Sequence, residues 1–214
     1  MAEGEGAVSV KKLCGAICAV LAGWLALPVF AQTADLPALV DQLRQGGYVI
    51  VMRHGGTNRD QADTDPLNFD NVARQRQLSD GGRDVARQVG AAWRKLGIPL
   101  SAVYTSRFNR AVETGRLIGG GEVVATNDIT EGGLVVTPIE NDRRADALRK
   151  LAATPPPAGK NTLLVTHKPN ILDAFGRDWF EVKEGEATVF KPDGAGNAVP
   201  VARVQAADWI KAAR

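Results

Sequence analysis

Tyr48-Val49-Ile50-Val51-Met52, followed at once by Arg53-His54-Gly55, is the stretch on which the fold turns. A continuous apolar run with adjacent β-branched residues predicts a strand buried on both faces, as in a parallel sheet covered by helices. Thr162-Leu163-Leu164-Val165-Thr166 is a second run of this kind, and it leads directly into His167. Just upstream, Asp35-Leu36-Pro37 reads as a helix start, with Asp35 as cap and Pro37 in the first turn. Leu36, Leu39, Val40 and Leu43 make its apolar face, and Gly46-Gly47 stop it.

Downstream the same alternation continues. Ser79 caps a helix with Val85, Val89, Trp93 and Leu96 at helical spacing, ended by Gly97 and Pro99. A short strand over Ala102–Tyr104, a helix over about Asn109–Ile118 and a strand over Val123–Ala125 follow. A helix over Asn141–Ala153 turns Ala145, Leu148, Leu151 and Ala152 inward, and Pro155-Pro156-Pro157 breaks it. Ala187–Phe190 and Val199–Val204 form a late antiparallel pair joined through Pro192-Asp193-Gly194. A short last helix carries Trp209 and Ile210. Helices alternating with strands predict an α/β fold, a three-layer α/β/α sandwich with a mostly parallel central sheet.

The chain of 214 residues fits one domain plus a processed end. Its net charge of +2, from 26 basic and 24 acidic residues, gives no basic excess of the kind that marks nucleic-acid binders. Lys11 and Lys12 precede an apolar run over Leu13–Leu27, and Pro28-Val29-Phe30-Ala31 offers a small-residue cleavage site. We therefore expect a signal peptide over 1–31, a single domain over 32–214, and a periplasmic or secreted protein. The run is shorter than the ~20 residues of a membrane-spanning helix, although an uncleaved anchor is the alternative. Cys14 and Cys18 both fall inside it, so the mature chain would hold no cysteine.

The only histidines, His54 and His167, each follow one of the two clearest buried strands. Ligands of open α/β sheets bind outside the carboxyl ends of strands. A single histidine there is ordinarily structural; two, with arginine beside them, point to one pocket. Arg53 precedes His54, and Arg110 begins a helix after another strand end. Arginine stays ionised and presents a planar fork that suits phosphate oxygens. The helix N-terminus beneath Arg110 would add N–H donors. Arg107, one turn earlier, is a second candidate for the same anion. Gly55–Gln77 is long, polar and aperiodic, and reads either as a lid over the pocket or as a solvated loop.

These residues resemble the histidine phosphatase (phosphoglycerate mutase-like) superfamily, and within it small exported members. Arg53-His54-Gly55 resembles its RHG motif, and Leu78-Ser79-Asp80-Gly81-Gly82 its LSxxG helix start. Thr105-Ser106-Arg107-Phe108-Asn109-Arg110-Ala111-Val112-Glu113-Thr114 resembles TSxxxRAxxT. Leu164-Val165-Thr166-His167 resembles its late strand ending in a second histidine. The resemblance implies that His54 is a nucleophile forming phosphohistidine and that Arg53, Arg110 and His167 surround the phosphate. Glu131, in Ile129-Thr130-Glu131-Gly132-Gly133, stands about where many members carry the acid that protonates the leaving oxygen. Thr57, Asn58, Arg107 and Lys168 are the implied substrate-binding residues. His167-Lys168-Pro169-Asn170 is close to a family variant, and Asn170 reads equally as a cap for a helix over Ile171–Phe175.

The implied activity is hydrolysis of a small phosphomonoester, with no metal and no cofactor, since two histidines without thiols make a poor zinc set. Alternatives within the family are a mutase or a phosphohistidine-protein phosphatase. From another class comes a catalytically silent phosphate-binding envelope protein. No nucleic acid and no lasting membrane insertion are expected.

Overall fold

The computed structural model describes residues 35–214. Helix α1 (Leu36–Gln45) leads into strand β1 (Val49–Arg53), which ends just before His54. The chain continues as α2 (Asp80–Lys95), β2 (Leu100–Ser106), α3 (Asn109–Gly119), β3 (Val124–Thr126) and α4 (Pro138–Ala152). It ends as β4 (Asn161–Thr166), α5 (Lys168–Phe175), β5 (Ala187–Pro192), β6 (Ala198–Val204) and α6 (Ala206–Ala212). The strands form one sheet in the order β3-β2-β4-β1-β5-β6. The first four in that order run parallel, and β5 and β6 are added antiparallel at one side. The expected α/β sandwich with a mostly parallel sheet is the observed architecture.

Alternation along the strands sorts the core. Ile50, Met52, Leu163 and Val165 belong to a cluster with Leu39, Val40 and Leu43 of α1, Val89 and Trp93 of α2, and Trp209 of α6. Trp93 and Trp209 meet edge-on with ring centres 5.5 Å apart. Val49, Val51 and Leu164 point the other way, toward the side where Leu148 and Ala152 of α4 and Ile171 of α5 are buried. Each such side chain contributes roughly 1.5–3 kcal/mol by leaving water. At the end of the sheet where β1 begins, the buried Asn161 side chain accepts from Tyr48 N–H at 3.2 Å. It also donates to the carbonyls of Leu43 and Pro99 at 2.8 and 2.9 Å. One amide thus joins the end of α1 to the entries of β1 and β2.

Three local expectations need correction. Val85 does not face the core but is exposed, because Ala86, Val89, Gly90 and Trp93 form the inner stripe of α2. Helix α4 starts at Pro138 rather than Asn141, since Thr137 caps it by accepting from Glu140 N–H at 3.2 Å. Asn170 is not a cap: α5 already begins at Lys168, and the buried Asn170 amide donates to Thr130 O at 3.2 Å. The expected signal segment, residues 1–31 with Cys14 and Cys18, lies outside the described residues. Among the described residues no helix is long and apolar enough to cross a membrane.

Candidate active site

Strand register sets the two histidines side by side. Arg53 on β1 pairs with Thr166 on β4, so His54 and His167 are each the next residue along. His54 N–H donates to Thr166 O at 3.0 Å, and Gly185 N–H bridges the carbonyls of Arg53 and His54 at 3.1 and 3.0 Å. The rings stand 5.1 Å apart at 61°, and both residues are buried. A hydroxyl fixes the turn that follows: Thr114 Oγ1 accepts from Gly55 N–H at 3.0 Å and donates to Arg110 O at 2.6 Å. That explains a threonine four residues after Arg110, one helical turn along α3.

The same contacts decide the protonation of His54. Its Nδ1 lies 2.8 Å from Gly55 O, a carbonyl that can only accept, so Nδ1 carries the proton and Nε2 keeps its lone pair. Burial first, then the charges of Arg110, Arg53 and Arg76, push its pKa down to about 3, against a weaker upward pull from the Gly55 carbonyl. His54 is a neutral base with one free nitrogen. His167 is held well below the usual imidazole range, by burial and then by Arg110 and His54. Its Nε2 is 2.7 Å from Ser106 Oγ, which itself accepts from Phe108 N–H at 3.2 Å. With the serine hydroxyl donating, Nδ1 of His167 is the N–H that remains.

Arg110, 1% exposed, is surrounded. Its Nη1 donates to both oxygens of Asp63 at 2.9 and 3.1 Å, and its Nη2 to Glu131 Oε2 at 3.2 Å. Its guanidinium lies 4.2 Å over the Phe108 ring. The same Glu131 oxygen is 3.2 Å from His167 Nδ1, but without the alignment of a hydrogen bond. Arg53 donates to Val182 O at 2.9 Å and pairs with Glu184 at 3.5 Å, and burial lowers its pKa. Three buried side-chain nitrogens here make no hydrogen bond: Arg53 Nε, Arg110 Nε and His167 Nδ1.

His54, Arg53, Arg110, His167 and Glu131 are therefore brought together. The other expected residues stand further out. Thr57 donates to Glu184 at 3.3 Å, and Asn58 braces its own loop through Gln77 and Leu78. Arg107 lies over the Phe69 ring at 4.7 Å and 3.7 Å from Asp70, so it does not take the place of Arg110. Lys168 sits 4.4 Å over the Phe180 ring. The first N–H of α3, expected to face an anion, is instead taken by the buried Gln75 side chain at 2.7 Å. Residues 55–77, many of them exposed, are tied to the start of α3 through Gln75, Gln77 and Asp63.

Sequence reading missed four participants: Asp63, Arg76, Glu184 and Ser106. Asp63 and Arg76 lie in an aperiodic segment with no spacing to single them out. Ser106, inside the TSxxxRAxxT segment, was the one with a visible signal. Among the described residues, no group of three or more histidine, cysteine, aspartate and glutamate side chains could hold a metal ion.

Residues 49–135 match the model of the histidine phosphatase superfamily (branch 1). The matched residues run from β1 past Glu131 and include Arg53, His54 and Arg110, so over this part the chain resembles that superfamily. Among solved structures it is similar to the protein histidine phosphatase SixA complexed with tungstate, at 18% identity and a TM-score of 0.52. That match covers 75% of this chain and 97% of the other. It is also similar to a mycobacterial glucosyl-3-phosphoglycerate phosphatase with inorganic phosphate, at 17% identity and 0.52, covering 77% and 99%. A phosphoserine phosphatase from Entamoeba histolytica in complex with 3-phosphoglyceric acid gives 17% and 0.51, covering 73% and 95%. At these identities the likeness is one of fold. No curated protein sequence matches the chain.

Proposed function

We propose that the protein is a metal-independent phosphomonoesterase working through phosphohistidine at His54. The observation that carries this reading is the set of buried nitrogens that make no hydrogen bond, Arg53 Nε, Arg110 Nε and His167 Nδ1, beside a histidine whose Nε2 lone pair is free. Buried donors without partners are destabilising unless a ligand takes them, and phosphate has the oxygens to do so. His54 Nε2 attacks phosphorus in line, the P–N bond forms, and the ester P–O bond breaks. The two arginines and His167 hold the equatorial oxygens. Glu131 is the proton donor to the leaving oxygen and then takes a proton from the water that cleaves the P–N bond. Inorganic phosphate leaves and His54 is restored.

The test is hydrolysis of nitrophenyl phosphate in excess EDTA. Turnover should persist with chelator and vanish in His54→Ala. Activity lost to EDTA and restored by zinc or magnesium would refute the metal-free route. We also read residues 1–31 as an export signal, on Lys11, Lys12 and the apolar run that follows. The protein exported from a Gram-negative host should begin at Gln32 on N-terminal sequencing.

A further inference from the structure

Glu131 lies in the connection between β3 and α4, yet the chain on either side of it is held closely. On the near side Thr130 is fully buried, and each of its polar groups is engaged. Its N–H donates to Asn127 O at 3.1 Å, and its hydroxyl donates to Thr126 O at 2.7 Å and accepts from Arg107 N–H at 2.9 Å. Its carbonyl accepts twice, from Arg144 Nη1 at 2.9 Å and from Asn170 Nδ2 at 3.2 Å. On the far side a Cβ on Gly132 would lie 2.4 Å from Asn141 Oδ1, and Asn141 Nδ2 donates to Gly133 O at 3.0 Å. Asn141 and Arg144 are three residues apart on α4 and so lie on one face of it. One helix thus grips the chain both before and after Glu131.

A buried arginine needs a reason, since a guanidinium leaves water only when its charge is met. Here Glu140 meets it, accepting from Arg144 Nε at 2.8 Å. The Thr130 carbonyl already has a donor in Asn170, so Arg144 is not needed merely to satisfy it. What Arg144 adds is direction: its planar fork spans from a carboxylate on α4 to the carbonyl that precedes Glu131. The second histidine shares this anchor. Asn170 stands one turn along α5 from His167, and Thr166 Oγ1 donates to Ile129 O at 2.6 Å. The backbone entering Glu131 is therefore fixed relative to His167, and Glu131 Oε2 lies 3.2 Å from both Arg110 Nη2 and His167 Nδ1.

We propose that Arg144 is a positioning residue for proton transfer: by holding the Thr130 carbonyl it sets where the Glu131 carboxyl stands beside the leaving oxygen. This rests on the phosphatase reading above, with Glu131 as its proton donor. A carboxyl displaced by ~1 Å leaves hydrogen-bond reach of that oxygen, and misplacement on this scale costs up to ~10²-fold. The attack itself is spared, because the hydrogen bonds of Arg144 go to Glu140 and Thr130 and not to His54, Arg53 or Arg110.

The experiment measures kcat for butyl and nitrophenyl phosphate in the full chain, in Arg144→Met, which keeps the stem and removes the donors, and in Arg144→Lys. Arg144→Met should lose about tenfold or more on butyl phosphate and stay within a few-fold on nitrophenyl phosphate, whose leaving group needs no proton. Arg144→Lys, which keeps a charged donor, should recover part of the loss. Placed in a Glu131→Gln background, Arg144→Met should cost butyl phosphate little more, since residues acting on one step are not additive. Asn141→Ala loosens the other side of the same grip and should show the butyl-selective loss in smaller degree; it decides the matter if Arg144→Met does not fold. Equal losses on the two esters, or an undiminished further loss in the Glu131→Gln background, would make Arg144 a stabiliser of the fold alone and overturn the proposal. A Glu131→Gln variant that treats both esters alike would overturn the assignment of the acid, and this proposal with it. An unmodified chain that hydrolyses neither ester would instead overturn the phosphatase reading beneath both.

Discussion

Arg110 presents a competition that one residue can expose. Its Nη1 is held by Asp63, whose Oδ1 also accepts Arg76 N–H at 2.9 Å. The carboxylate therefore orients the fork and also repels an incoming phosphate. Asp63→Asn keeps an acceptor and removes the charge, so inhibition by inorganic phosphate should tighten while kcat stays within a few-fold. Asp63→Ala removes both; small misplacements of a binding group are worth up to ~10²-fold, so kcat should fall about tenfold or more. Steady-state kinetics on both variants separate the two effects, and identical behaviour would contradict the assignment. Glu131 is tested through the leaving group. Glu131→Gln should slow alkyl phosphates by ~10²–10⁴-fold, the usual contribution of general acid catalysis, and nitrophenyl phosphate far less. Equal small effects on both would return Glu131 to the role of a loop carboxylate. The paired histidines and their arginines were legible because motif and strand end coincide. Asp63 was not, because its function comes from a contact across 47 residues that no local pattern encodes.

At the scale of elements, the approach of α2 to the turn after His54 is the tightest fit near the site. A Cβ on Gly82 would lie 2.0 Å from Gly56 O, a backbone atom that cannot swing aside. Gly82→Ala should therefore move α2 or the Gly55-Gly56 turn that holds His54 Nδ1, lowering both the unfolding midpoint and the activity. Gly81→Ala is the matched control. Its Cβ meets nothing within 4 Å, and alanine is favoured over glycine in helices by about 1 kcal/mol, so the variant should be neutral or more stable. Urea denaturation of both decides. Elements were readable wherever period and caps agreed, as in α1 between Asp35 and Gly46. They were misjudged where tertiary contacts took precedence: Val85 fits a helical stripe by spacing, yet the small residues Gly82, Ala86 and Gly90 are the ones that let α2 approach its neighbours.

For the whole molecule, two buried neutral histidines make stability depend on acid. An unfolded histidine takes a proton near 6.5, whereas folded His54 resists until about 3 and His167 is also strongly lowered. As pH falls through 6.5 the unfolded chain binds protons that the native state refuses, and stability drops. For His54 alone the loss at pH 5 is roughly 2 kcal/mol; above pH 7 the contribution is flat. Urea unfolding at pH 7.5 and pH 5 should show the decline, and His54→Gln should shrink it; a decline of the same size in that variant would assign it elsewhere. The pairing of β1 with β4 has one more consequence. Tyr48 and Asn161 at its near end are 113 residues apart, as are His54 and His167 just past its far end. Closing so long a loop loses chain entropy before any contact is gained, so this pairing should form slowly. Refolding after dilution from denaturant would then restore helical circular dichroism first, and recovery of enzyme turnover would report the moment the sheet is complete.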